Sequence, residues 1–224
     1  MSNRIREILT DLERVRENLL ALSDDIWLSI DHNNSDALQR GVEFKLAYNE
    51  KMGAFDRLAS ELSTLVQQFT DVHVEASAVE DAKAEDAEAN ERIIKELDKE
   101  EPHTLAEDFR YKRPFGFVLQ GRAFKDIVTW RRVYELVCAQ LREQDAARFT
   151  ALPENPDFTT THGNRYFTRT SEEVRSPAHV GDTIYAEVNL SANMIRDVIR
   201  RLLTTFDVPE SEMTIYLRQD RDAE

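Results

Sequence analysis

The sequence predicts an α+β protein, in which a long N-terminal helical hairpin or coiled coil precedes a compact α+β domain with the order ββα, loop, βα, β. The first observation is that apolar residues in the first 70 positions recur at alternating spacings of three and four, as in helices that pack on helices. The second is a change of composition near residue 105. We therefore predict a hairpin at 1–70, an acidic helix or linker at 71–105, and the α+β domain at 106–224.

The change of composition concerns both charge and aromatic content. Residues 1–105 hold 12 basic and 24 acidic side chains, whereas residues 106–224 hold 17 and 19. Eight of the 11 phenylalanines and five of the six prolines lie in the second half. This distribution favours an acidic helical module followed by a domain with an aromatic core.

Seven apolar residues of the first helix follow the heptad spacing, and we predict that they form an oligomer interface. They are Ile5, Ile8, Leu12, Val15, Leu19, Leu22 and Ile26. Turn-forming residues at 31–36 then interrupt the pattern, and Ser35 or Asp36 is expected to cap a second helix that extends to about residue 70. Antiparallel hairpins and dimeric coiled coils share this periodicity, so the heptads pack either within one chain or between chains.

The second helix repeats the spacing, with Phe55, Leu58, Leu62, Leu65 and Phe69 at intervals of 3, 4, 3 and 4. Residues 75–91 follow with seven acidic side chains and mostly alanine otherwise, which predicts a solvated helix or linker. An alternative interpretation is an acidic tract that binds a basic partner or mimics a nucleic-acid backbone.

In the second half, alternating apolar residues predict strands and longer periodic stretches predict helices. Phe115, Phe117 and Leu119 alternate before a Gln120-Gly121 turn, which indicates a β-hairpin. A helix is expected from residue 130 to 141, a strand at 184–188, a helix at 191–206 that Ser191 caps, and a last strand at 213–217. Residues 146–182 are expected to be mostly irregular because they are rich in Pro, Thr, Asn and Gly.

The motifs that accompany common chemistries are missing from the sequence. Its six glycines form no phosphate-binding loop, its five histidines form no metal-binding pair, and its one cysteine, Cys138, is expected to be a small buried residue. We therefore predict no metal, no cofactor and no catalytic residue. A metal-dependent nuclease that uses Asp182, Glu187 and His162 is the weaker alternative.

Basic residues cluster in the second half, and we predict that they contact nucleic acid together with two adjacent aromatic residues. The predicted contacts are Lys112, Arg113, Arg131, Arg132, Arg165, Tyr166, Phe167, Arg169, Arg200 and Arg201. Arginine binds phosphate with two parallel hydrogen bonds, and exposed aromatic rings stack on bases. The same domain holds 19 acidic residues, so pairing of these arginines with carboxylates at the surface is the competing expectation.

Four segments between residues 112 and 217 resemble a poorly characterised C-terminal domain of bacterial and phage proteins. They are KRPFGFVLQGRAF, TWRRVYELVCAQL, GNRYFTRTSEEVRSP and IYAEVNLSANMIRDVIRRLL. This domain often stands beside variable helical or regulatory parts in mobile-element or defence settings. The resemblance covers just under half of the chain and implies a fold rather than a reaction.

The resemblance also implies that several residues belong to a signature of the domain: Arg165, Tyr166, Phe167, Arg169, Asn189, Ser191 and Asn193. Asn189, Ser191 and Asn193 are equally well explained as residues that hold a strand-to-helix turn, because their side chains satisfy free backbone donors there.

The sequence therefore predicts a non-enzymatic, homo-oligomeric adaptor whose coiled coil displays a domain that binds nucleic acid. The alternative is a protein-interaction subunit of a bacterial defence or restriction-type assembly, in which the acidic N-terminal half binds a basic partner without nucleic acid. A net charge of -14 excludes attraction of the whole surface to nucleic acid or anionic lipid. Because neither a secretory signal nor a run of about 18 apolar residues is found, we expect a cytoplasmic protein without a membrane partner.

Overall fold

A computed structural model describes residues 2–70, 87–160, 163–181 and 183–218. Its helices are α1 (Ser2–Leu28), α2 (Ser35–Thr70), α3 (Ala87–Leu97), α4 (Trp130–Gln144), α5 (Ala146–Thr150) and α6 (Ala192–Thr205). Its strands are β1 (Pro102–His103), β2 (Pro114–Leu119), β3 (Arg122–Lys125), β4 (Phe167–Thr168), β5 (Pro177–Gly181), β6 (Ile184–Glu187) and β7 (Met213–Leu217). The predicted fold class is confirmed, and the two long N-terminal helices fit a coiled coil.

Helices α1 and α2 form an antiparallel hairpin with a short turn. The cap of α2 is Asn34, whose Oδ1 accepts hydrogen bonds from the backbone N–H groups of Asp36 and Ala37 at 3.1 and 3.0 Å. The prediction of Ser35 or Asp36 as the cap was therefore wrong by one or two residues. Asparagine is as good a cap as serine or aspartate, so the sequence offers several equivalent caps in this turn.

Contacts along the hairpin define how its two helices are aligned. The Lys45 ammonium lies 2.9 Å from Asp24 Oδ1, and the Tyr48 hydroxyl donates a hydrogen bond of 2.8 Å to the carbonyl of Leu19. In each contact the two residue numbers add up to about 70. Residue n of α1 therefore lies beside residue 70−n of α2, to within about three residues.

The larger sheet is antiparallel, in the order β1-β7-β2-β3. Helix α3 covers it through Leu97, which is fully buried against Ala123 and Tyr216. A Cβ atom on Gly116 would lie 2.8 Å from Leu97 Cδ2 and 2.5 Å from the carbonyl oxygen of Phe124, so only glycine allows this close approach. Residues 87–103 of the predicted acidic helix or linker thus contribute α3 and β1 to the domain, and 71–86 lie outside the described residues.

The smaller sheet has the antiparallel order β4-β6-β5, and α4 packs against both sheets. The core between them is rich in aromatic side chains that are at most 1% exposed: Phe109, Phe117, Trp130, Tyr134, Phe149, Phe158 and Phe167. The segment 146–182, expected to be mostly irregular, contains α5, β4 and β5 together with three 3₁₀ turns. Elements of two to five residues are too short to show a hydrophobic period.

Candidate functional site

The predicted oligomer interface on α1 splits into two rows with different exposure. Ile5, Leu12, Leu19 and Ile26 are half-buried. The other row is exposed, with Ile8 at 59%, Val15 at 49% and Leu22 at 43%. The positions of α1 that are fully buried are instead Leu9, Arg16, Glu17, Ala21 and Ser23.

In helix α2, too, the residues with heptad spacing are exposed and other positions are buried. Its heptad residues Leu58, Leu62, Leu65 and Phe69 are between 47% and 93% exposed. The residues that α2 buries are Gly41, Met52, Asp56 and Ala59. The buried positions of the hairpin therefore mix small and charged side chains with Leu9 and Met52, whereas these four heptad residues of α2 are exposed.

Both exposed rows face away from the C-terminal domain. Residues two positions apart on a helix point in nearly opposite directions, about 200° apart. On α1, Ile8 precedes Thr10 by two positions, and on α2, Leu62 precedes Thr64 by two. Both threonines line a cleft that faces α4. We call the outward surface the outer stripe, defined by Ile8, Val15, Leu22, Leu58, Leu62, Leu65 and Phe69.

The outer stripe holds seven of the twelve large apolar side chains that are exposed in the described part of the chain. Among the described residues, twelve large apolar side chains are exposed, and ten of them lie on the hairpin. Three of those ten, Leu28, Val42 and Leu46, form a separate group near the turn. A contiguous exposed apolar surface of this kind marks an interaction site in soluble proteins.

The opposite face of the hairpin binds the C-terminal domain through polar groups, and we call this contact the joint. Glu17 Oε1 accepts a hydrogen bond of 3.1 Å from the backbone N–H of Arg131, in the first turn of α4. Arg16 Nη1 donates to the carbonyl of Val188 at 2.9 Å, and Ser191 Oγ donates to Asp24 Oδ2 at 3.1 Å. The N-cap of α4 is Thr129, and Glu17 of α1 adds a second acceptor for the free N–H groups of the first turn.

Burial perturbs the ionisable groups of the joint. Desolvation raises the pKa of Glu17 to about 7, although Arg16 and the first turn of α4 act in the opposite direction. Desolvation also raises the pKa of Asp56 to about 6, against the attraction of Arg16. Asp56 is 4% exposed and lies 3.8 Å from Arg16 Nε, and neither of its carboxylate oxygens accepts a hydrogen bond from the described residues.

Sequence reasoning missed Arg16, Glu17 and Asp56. One sequence signal for Arg16 was available. Leu9, Arg16 and Ser23 are spaced by seven residues, and each directly follows a member of the exposed row Ile8, Val15 and Leu22. The exposed row is the more apolar of the two, so the sequence favoured it as the buried face. The exposed end of the joint is held by Asp25, whose pKa is lowered by hydrogen bonds from the Tyr111 hydroxyl and the Arg110 guanidinium.

Five of the eight basic residues among the predicted nucleic-acid contacts are paired with carboxylates. Arg131 Nε lies 2.9 Å from Glu135, and Arg132 lies 3.4 Å from the same residue. The other pairs are Arg165 with Glu173 at 3.4 Å, Arg169 with Glu154 at 2.8 Å, and Arg200 with Glu210 at 2.8 Å. The Arg201 guanidinium lies 5.7 Å from the centre of the Tyr166 ring and donates to the carbonyl of Asp157. This pairing reduces the positive potential that phosphates would meet.

The remaining predicted contacts occupy other settings. Phe167 is 1% exposed and packs edge-on against Phe149 and Phe158, so the prediction that it stacks on bases was wrong. An aromatic residue beside arginines looks the same in sequence whether it lies in a core or on a surface. Lys112 and Arg113 line a cavity of about 10 Å³ at the joint, together with Glu17.

The carboxylate of Glu187 has a structural role. It accepts hydrogen bonds from the backbone N–H groups of Arg175, Ser176 and Asn189 at 2.7, 3.2 and 2.8 Å, and so holds the strand-to-helix turn. Asp182 and His162, its predicted partners in a nuclease, lie outside the described residues. Within the described ranges, no three metal-ligating side chains are grouped to hold an ion.

Cys138 is fully buried, as the sequence predicts, and desolvation raises the pKa of its thiol well above the usual value. Open cavities lie elsewhere among the described residues. One of about 500 Å³ is lined by Arg200 and Arg201, and one of about 120 Å³ includes Arg165, Tyr166 and Asn189. A third, of about 320 Å³, separates α1 and α2 from the start of α4. The sequence did not predict this third cavity because three distant segments of the chain form it.

The chain matches no protein-family model, no curated protein and no solved structure. The resemblance of residues 112–217 to a bacterial and phage domain therefore stays a prediction. None of the described helices is both long enough and apolar enough to span a membrane.

Proposed function

We propose that this protein is an oligomeric adaptor, in which the hairpin carries the assembly surface and the C-terminal domain is held on its opposite face. The observation that carries this proposal is the outer stripe. Its seven side chains follow the heptad spacing of helix-to-helix contacts and are exposed, while the inner face of the same hairpin is already occupied.

The gain from covering the outer stripe is large enough to drive association. Complete burial of a Val, Leu, Ile or Phe side chain contributes about 1.5–3 kcal/mol, and these side chains are roughly half exposed. Seven of them at about 1 kcal/mol each give about 7 kcal/mol before the entropic cost of association. A stable complex needs the flanking contacts as well, which the half-buried Leu12, Leu19 and Ile26 are placed to add.

The paired arginines favour an adaptor that works through protein contacts rather than nucleic-acid binding. Arg131, Arg165, Arg169 and Arg200 each have a carboxylate within 3.4 Å. Phosphate would have to displace these partners, and the formal charge of the chain is -14. We therefore assign protein assembly to the hairpin and do not include nucleic-acid recognition in the proposed function.

Sedimentation velocity on the full chain, over a wide range of concentrations, tests this function. We expect an assembly heavier than the 26.0 kDa monomer, with a mass that labelled single-stranded or double-stranded DNA or RNA does not change at physiological salt. A monomer at every concentration would contradict the proposal. Salt-sensitive co-sedimentation with nucleic acid would restore the prediction of a phosphate-binding domain.

A further inference from the structure

We infer that the outer stripe is covered by a second copy of this chain, so that two hairpins form an antiparallel four-helix bundle around a two-fold axis. This inference rests on the proposed function and names the partner of the same surface. The first argument is its width. Each helix of the hairpin contributes one row of heptad residues, so the outer stripe is two helices wide, which matches half of a four-helix bundle rather than a groove for one helix.

The length of the outer stripe gives the second argument. Because residue 70−n of α2 lies beside residue n of α1, the stripe runs from the level of Phe69 to the level of Leu22. That distance is about 20 residues, or about 30 Å at 1.5 Å per residue. With two helices about 10 Å apart, the footprint is about 600 Å² on each copy. This is close to the roughly 800 Å² per partner of a standard interface.

Charge at the turn end of the hairpin decides the orientation. Residues 29–43 hold three carboxylates, Asp31, Asp36 and Glu43, and one basic side chain, Arg40, whereas the neighbouring Asp24 and Asp25 are already paired with Lys45 and Arg110. A parallel pair would place the two acidic ends side by side. An antiparallel pair places them at opposite ends of the bundle, separated by more than the Debye length of about 8 Å. The same surface of each copy then meets its own counterpart, as two-fold symmetry requires.

Single-cysteine variants test the orientation. Leu58 lies at the middle of the outer stripe, beside Leu12, whereas Phe69 lies at its end. In an antiparallel pair the two Leu58 residues face each other near the two-fold axis, and the two Phe69 residues are about 30 Å apart. With a short bis-maleimide, we expect Leu58→Cys to form cross-linked dimers and Phe69→Cys to form none. The native Cys138 is fully buried, so the unmodified chain is the matched control.

Two double variants test the surface itself. Leu62→Asp with Leu65→Asp places charges on the outer stripe and is expected to reduce the mass from twice 26.0 kDa to 26.0 kDa. Leu28→Asp with Leu46→Asp changes side chains of 66% and 67% exposure away from the stripe, and this control is expected to stay dimeric. Circular dichroism verifies that both variants remain folded, as the exposure of all four residues predicts.

Each other outcome overturns the inference. Cross-linking at both cysteines would show a parallel pair, and cross-linking at neither would show that the outer stripes do not meet. A mass that stays at two copies in Leu62→Asp with Leu65→Asp would place the interface elsewhere. An assembly of another size that Leu62→Asp with Leu65→Asp abolishes would contradict the two-copy bundle but would agree with the proposed adaptor function.

Discussion

The hairpin buries charged side chains among its apolar ones, whereas the C-terminal domain buries an aromatic core. In the domain, Phe117, Phe158 and Phe167 are at most 1% exposed and close an aromatic core. In the hairpin, Arg16 and Asp56 are buried while apolar residues such as Phe69, at 93%, are exposed. The comparison teaches that a heptad pattern identifies a face that is suited to helix packing, but does not identify the helix that covers it.

The two regions should therefore differ most in their response to loss of apolar volume. Phe167→Ala removes a ring from the centre of the domain and is expected to lower the free energy of unfolding by about 3–5 kcal/mol, from lost burial and a residual cavity. Leu65→Ala removes a side chain that is 62% exposed and should cost less than about 1 kcal/mol in the monomer. Urea denaturation at low concentration measures both, and equal costs would contradict the contrast.

A double-mutant cycle at the joint tests whether its buried charges are needed. Arg16→Met leaves Asp56 buried without its cation, and removal of one partner from a buried pair costs about 3 kcal/mol or more. Arg16→Met combined with Asp56→Leu removes both charges and should recover most of that loss. Thermal unfolding of the four proteins in the cycle provides the comparison. A double variant no more stable than Arg16→Met would contradict this expectation, because the loss would then not come from an unpaired Asp56.

The pH dependence of stability should reveal Glu17, whose pKa is raised from 4.5 to about 7. Between these values the folded chain keeps a proton that the unfolded chain has lost, so stability falls as the pH rises from about 4.5 to about 7. The full loss is on the order of 3 kcal/mol. Asp56, with a pKa near 6, adds a fall of the same sign.

Glu17→Gln keeps an oxygen that accepts hydrogen bonds from α4 but cannot ionise, so we expect a flatter stability profile over the same pH range. Urea midpoints at several pH values provide the measurement. Glu61→Gln is the control, because Glu61 is exposed on the same hairpin and should leave the slope unchanged. A Glu17→Gln profile as steep as that of the native chain would assign the effect to other groups.

The smallest effect is expected on the surface of the domain. Arg165→Ala with Arg169→Ala removes two pairs whose side chains are between 44% and 60% exposed, and such pairs contribute less than about 1 kcal/mol each. We expect nearly native stability and unchanged retention on a nucleic-acid column. A marked loss of retention would show that these arginines contact phosphate despite their carboxylate partners.

The sequence predicted the long helices, the β2–β3 hairpin, α4, α6 and the last strand. In each of them the apolar residues repeat at the helical or the strand spacing more than once. The sequence could not predict β4 and β5, which owe their place to pairing with β6. The same limit applies to the candidate site. Exposure of Leu62 and burial of Phe167 depend on contacts with distant segments, so no local pattern records them.

The hydrogen bond from the first turn of α4 to Glu17 has a consequence for the order in which the chain folds. The acceptor precedes its donor by 114 residues, so it has left the ribosome long before α4 is made. Hairpin contacts are local and form rapidly, whereas the domain depends on distant strand pairs and forms slowly. The hairpin is therefore expected to fold first, and the first turn of α4 then packs against it. A fragment that lacks residues 1–70 must begin its central helix without that carboxylate.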